Sequence, residues 1–170
     1  IVITTNSGLW RYLIGDTVRF TSLNPYRIRV SGRTKHHINV FGEELMVENT
    51  DQAIAKACQI TQTEVVDYTV APIFMEGKEK GAHEWMIEFK QNPSDLAQFQ
   101  KIVDDTLQSL NSDYEAKRHN NMTLNPLVIN LARPQLFYDW LKERDKLGGQ
   151  HKIPRLSNQR EYLEQLKALN

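Results

Sequence analysis

The chain has 170 residues, 40% of them hydrophobic and 25% charged, which is enough for one ordinary hydrophobic core and short for two. Lysine plus arginine balances aspartate plus glutamate at 21 each, so no global field draws the molecule to a nucleic acid or an anionic membrane, and any anion contact must be local. Cys58 is the only cysteine, which excludes an internal disulfide framework or thiolate metal cage and leads us to expect a reducing, cytoplasmic setting.

Ile1 to Thr5 reads as a strand entered without an initiator methionine or a signal-peptide pattern, and the expectation is a segment of something longer. Asn6 to Gly8 is a turn, Leu9 to Ile14 a second strand ending at Gly15-Asp16, and Thr17 to Leu23 a third. Asn24-Pro25 breaks it before the alternating apolar run Tyr26, Ile28, Val30. These strands are expected to form the rim of a sheet whose other members lie upstream. A Gly-Arg-Thr-Lys corner at residues 32–35 follows, then a short strand with Ile38 and Val40. The chain turns at Gly42 into a helix over about Val47 to Thr61.

Beyond that helix the pattern predicts a β-branched strand from Glu64 to Ile73, a Gly-rich turn at Gly77 to Gly81, and a strand from Glu84 to Phe89. A helix entered through Asn92-Pro93 places Leu96, Phe99, Val103, Leu107 and Leu110 on one apolar face, and a strand follows at Leu127 to Leu131. The order strand, helix, strand, strand, helix, strand predicts an α+β fold, a ferredoxin-like split β-α-β sheet with its helices on one face. A Pro134-started helix is expected to stop at Gly148-Gly149. Residues 150–155 form a basic loop, because residue 153 precedes a proline, and Asn158 with Glu161 reads as the capping box of a last helix. No apolar run approaches the roughly 18 residues of a membrane-spanning helix.

Three positions carry a chemical reading beside a plainer one. Asp16, at a strand end after glycine, could accept two hydrogen bonds from a diol such as a ribose, or could simply bond its own turn. Arg33 could pair with a phosphate or carboxylate, or form a surface ion pair. Lys152, on a flexible stem in the basic loop, could stabilise negative charge developing in acyl or phosphoryl transfer, or be an ordinary exposed lysine. The five histidines show no i, i+4 pair and no HExxH, so no metal site is expected, and no phosphate-cradling loop or nucleophile elbow is present. Glu43, Glu44 and Glu48 are expected to face solvent or cap the Val47 helix, and Asp104-Asp105 to lie on a helix surface.

Three motifs then coincide. GRTKHHINVFGEEL at residues 32–45 resembles the hinge of the adenylate-forming superfamily. TTNSGLWRYLIGD at residues 4–16 resembles a segment of the auxin-responsive Gretchen Hagen 3 family of acyl acid amido synthetases, particularly its bacterial branch. HKIPR at residues 151–155 resembles that family's C-terminal Lys-x-Pro-Arg loop. The resemblance implies that residues 1–31 are terminal strands of a large adenylation domain, 32–36 a hinge, and 37–170 a mobile C-terminal domain. It implies an ATP- and magnesium-dependent ligase that adenylates a carboxylic acid and joins it to an amino acid, releasing pyrophosphate and AMP. Asp16 would bind the ribose hydroxyls with Tyr12 nearby, Arg33 would approach the ribose or phosphates, Lys35 would lie at the pivot, and Lys152 would be the mobile adenylation lysine. Lys35 stands where the superfamily often has an acidic residue. The chain alone would be inactive, with its own N-terminal domain as partner and no nucleic acid or membrane. A thioester-forming acyl-CoA ligase and a non-catalytic ferredoxin-like binding module are the alternatives.

Overall fold

The computed structural model describes residues 1–33, 37–77, 79–119, 123–148 and 152–170. Two antiparallel ribbons open the chain: β1 (Val2–Ile3) pairs with β2 (Tyr12–Leu13), and β3 (Asp16–Leu23) pairs with β4 (Tyr26–Arg33). Neither ribbon has a core of its own, since Phe20, Leu23, Tyr26, Ile28 and Val30 are each more than half exposed. A third ribbon, β5 (His37–Ile38) against β6 (Leu45–Met46), runs directly into α1 (Val47–Thr61), and here burial begins, with Ile38 and Leu45 fully covered.

The rest of the chain is built on one three-stranded sheet. β7 (Glu64–Ile73) lies antiparallel to β8 (Ala82–Gln91), and β8 lies parallel to β9 (Val128–Ala132), which returns after α2 (Leu96–Leu110) and α3 (Ser112–Arg118). α4 (Leu136–Lys142) and α5 (Glu161–Leu169) complete the order. Strand alternation sorts the side chains between two layers. Tyr68, Val70, Trp85, Ile87, Phe89 and Ile129 face α1 and α2, meeting Ala53, Ile54, Ala57, Phe99, Val103 and Leu107. Ala71, Met86 and Ala132 face α4 and α5, meeting Leu136, Phe137, Trp140, Leu163 and Leu166.

The α+β class stands, but the ferredoxin-like arrangement is not completed among the described residues. The expected first strand does not enter the main sheet: positive φ at Gly42 (+80°) and Glu44 (+42°) turns the chain back so that Ile38 pairs locally with Leu45, and β9 lies directly beside β8. The two helices of that arrangement, α1 and α2, do share one face, and the other face is also covered. β8 is buried from Ala82 to Phe89, so both of its sides need cover, and α4 and α5 supply the second.

Smaller differences have local causes. β8 runs on to Gln91, so α2 starts at Leu96, with Asp95 Oδ1 accepting from the Gln98 amide at 2.9 Å in place of an Asn92-Pro93 entry. α3 was not expected; Asn111 Oδ1 caps it through the Tyr114 amide at 2.8 Å. α4 ends before Gly148, where the Lys146 amide turns back onto the Leu141 carbonyl around Asp145 at φ +52°. Asn158 caps nothing. Its amide instead accepts from the Asn39 backbone at 2.8 Å and donates to the His37 carbonyl at 3.0 Å, tying the β5 ribbon to the approach to α5.

Candidate active site

The base of the β3–β4 ribbon brings two expected site residues together. Asp16 opens β3 and Arg33 closes β4, and they are opposite each other in the strand register. Gly15, at φ +86°, makes the turn into this position, a backbone state that favours a residue without Cβ. Asp16 is half-buried, and its carbonyl oxygen accepts from the Ile1 nitrogen at 3.0 Å, which joins the two opening ribbons. Tyr12 lies on β2 and is half-exposed. Lys35, the expected pivot, lies outside the described residues.

Lys152 belongs to a different part of the fold. It is exposed at the head of a segment lying along the free edge of β7, and that segment is held by main-chain bonds. The Val70 amide donates to the Arg155 carbonyl at 2.8 Å, the Ser157 amide donates to the Val70 carbonyl at 3.1 Å, and Thr69 Oγ1 donates to the Pro154 carbonyl at 2.7 Å. Ile153 is buried in the α4–α5 layer and Leu156 in the α1–α2 layer, so the segment straddles the sheet edge.

The electrostatics around Lys152 are local, as the balanced net charge requires. Burial pushes the Asp67 carboxyl upward, against the hydrogen bond from the Tyr68 amide and the positive charges of Arg155 and Lys152. Asp67 lines a cleft of about 510 Å³ together with Val66, Glu88, Phe137 and Tyr138. Glu88 is already committed, accepting from the Gln135 amide at 2.7 Å at the start of α4.

The loop that follows the expected hinge is anchored through residues read as solvent-facing. Glu43 is fully buried: its Oε1 lies 2.9 Å from His83 Nε2, and its Oε2 accepts from the Phe41 amide at 2.7 Å. The Phe41 ring packs where a side chain at residue 81 would stand, within 2.5 Å of an added Cβ, so Gly81 is required there. Asp104 also contradicts its surface reading. It is buried, accepting from Tyr114 at 2.7 Å and from Arg118 Nη2 at 2.8 Å. Beneath the Lys152 segment, Tyr68 donates to Asp51 at 2.6 Å, and Arg155 both ion-pairs with Asp51 and stacks over the Tyr68 ring at 5.1 Å. Only one signal pointed to this cluster: Tyr68 shares the inward phase of Val70, and a buried phenol needs a partner.

Among the described residues, no cluster of three or more His, Cys, Asp or Glu side chains is placed to hold a metal ion. No helix among the described residues is long and apolar enough to cross a membrane.

The model of the GH3 family C-terminal domain matches residues 48–161, and that of the GH3 family central domain matches residues 1–33. The chain belongs to the GH3 family. No curated protein matches it. Among solved structures, GH3.15 acyl acid amido synthetase is similar at 24% identity with a TM-score of 0.75, covering 98% of this chain and 31% of that one. AtGH3.15 acyl acid amido synthetase in complex with 2,4-DB is similar at 22% identity with a TM-score of 0.72, covering 98% and 32%. The chain thus spans about a third of the length of these structures, and at such identities the likeness shows the fold.

Proposed function

We propose that the chain is the C-terminal part of an ATP-dependent acyl acid amido synthetase, acting with its own N-terminal domain in a cytoplasmic setting. Family membership and the names of the fold neighbours, one of them in complex with 2,4-DB, support a small-molecule acid as ligand. The observation that carries the mechanism is the division of charge. Asp16 lies opposite Arg33 in the strand register, within the residues matched by the central-domain model, and Lys152 lies within those matched by the C-terminal-domain model.

In the first step a carboxylate oxygen of the acid attacks the α-phosphorus of ATP, the bond to the bridging oxygen breaks, and pyrophosphate leaves. Asp16 accepts hydrogen bonds from the ribose hydroxyls beside Tyr12, and Arg33 pairs with ribose or phosphate oxygens. Lys152 donates to the oxygens on which charge gathers as the phosphorus becomes pentavalent. In the second step the amino-acid amine attacks the acyl carbon, the carbon–oxygen bond to AMP breaks, and the amine loses a proton. Lys152 must withdraw to admit the amine, and rotation about residues 32–36, with Lys35 at the pivot, provides this.

The test is ATP–pyrophosphate exchange by the full-length protein across panels of carboxylic acids, followed by amide formation with amino acids. Acid-dependent exchange and amino-acid-dependent AMP release are expected, with none from the 170-residue chain alone. Dependence on coenzyme A in place of an amino acid would identify a thioester-forming ligase. Exchange by the isolated chain would overturn the proposal.

A further inference from the structure

We propose that Asp51 and Tyr68 are positioning residues for Lys152, forming with Arg155 a clamp that ties the lysine's segment to the first helix after the hinge. The proposal rests on the reading of Lys152 as the adenylation cation.

Three elements converge on the clamp. Asp51 stands in the first half of α1, Tyr68 on β7, and Arg155 three residues after Lys152. Asp51 Oδ1 accepts from the Tyr68 hydroxyl at 2.6 Å and is ion-paired with Arg155 Nη1. Thr50 Oγ1 lies 2.8 Å from the same phenol oxygen, and the Arg155 guanidinium covers the Tyr68 ring at 5.1 Å. Burial, followed by the hydrogen bond to Asp51, pushes the Tyr68 phenol far above its usual range, so it remains a donor. Every group in the cluster then has a complementary partner.

This geometry bears on Lys152 through the backbone. A lysine ammonium rides on four methylene groups, so the place where its main chain is fixed determines what it can reach. Ile153 and Leu156 hold the segment onto the two layers of the core, and the bonds of Val70 and Thr69 hold it along β7. The Arg155 side chain makes the segment's polar link to α1, which leads directly out of the β5–β6 ribbon. Rotation of the domain would therefore carry Lys152 and α1 together. Without the clamp, Ile153 and Leu156 remain packed while the lysine's approach loosens relative to the hinge. Misplacement by about an ångström costs a reaction up to roughly a hundredfold.

The experiment measures both half-reactions in the full-length protein: ATP–pyrophosphate exchange for adenylation, and aminolysis of a chemically prepared acyl-adenylate for the second step. Asp51→Asn and Tyr68→Phe are each expected to lower the kcat of exchange by about ten- to a hundredfold with little change in the KM for ATP. Aminolysis should be unchanged, because Lys152 has withdrawn by then, and Asp51→Glu should restore most of the exchange rate. A merely structural role would slow both steps alike. Equal slowing of both steps, or exchange within about threefold of the parent protein in both variants, would overturn the proposal. Lys152→Ala, run beside them, separates the two levels. If it leaves exchange intact, the reading of Lys152 fails. If it abolishes exchange while Asp51→Asn and Tyr68→Phe do not, the clamp alone is wrong.

Discussion

Glu43 and His83 meet at 2.9 Å with neither side chain exposed, joining the turn between β5 and β6 to β8. Removing one partner leaves the other buried without its hydrogen bond, which typically costs about 1–3 kcal/mol. Glu43→Ala also strips the Phe41 amide of its acceptor. Urea unfolding should therefore show a midpoint far below that of the parent chain; a shift no larger than that of a surface substitution would contradict the pairing.

Acid should weaken the fold through the same residue. Burial alone would raise the Glu43 carboxyl, but the hydrogen bond and charge of His83 and the amides of Glu43 and Phe41 outweigh it and hold the group below its ordinary range. Glu84 behaves likewise: burial opposes, and the bonds from Arg160, Lys167 and Asn130 prevail. A carboxylate depressed in the folded state adds stability that is complete above its unfolded value, about 4.3 for glutamate, and is lost as pH falls through the lower folded value. Tm should fall below about pH 4.3. Glu84→Gln should flatten that decline, and an equally steep decline in this variant would exclude Glu84 as a contributor.

Adjacent aspartates on α2 should respond very differently. Asp104 is buried against Arg118 and Tyr114, and its removal should cost about 3–5 kcal/mol. Asp105 forms an exposed pair with Lys101 at 2.5 Å, and its removal should cost no more than about 1 kcal/mol. Denaturant unfolding of Asp104→Ala beside Asp105→Ala checks this, and equal losses would refute the assignment.

Asp16 is expected to act on nucleotide binding. In the full-length protein Asp16→Ala should raise the KM for ATP about tenfold or more, the loss expected for a charge-assisted hydrogen bond. An unchanged KM in the exchange assay would return Asp16 to a turn-forming role.

The sequence was most legible where one period runs through an apolar segment. α1 and β7 lie at the expected residues because α1 keeps one apolar face at helical spacing and β7 is a run rich in β-branched residues. Sheet partnership was not legible. That Ile38 pairs with Leu45, and that β9 lies beside β8, depends on positive φ at Gly42 and Glu44 and on long-range packing that local pattern does not encode. In the site, the three motifs marked the segments carrying Asp16, Arg33 and Lys152. They were silent on Asp51, Glu43 and Asp104, because a carboxylate on a helix or loop looks solvent-facing until its partner is known. Their partners, Arg155, His83 and Arg118, lie 104, 40 and 14 residues further along the chain.

The most direct measurement is acid-dependent ATP–pyrophosphate exchange by the full-length protein carrying Lys152→Ala. Loss of one charge-stabilising donor should slow exchange about a hundred- to a thousandfold while aminolysis of the prepared adenylate persists. Exchange within about twofold of the parent protein would contradict the role of the lysine.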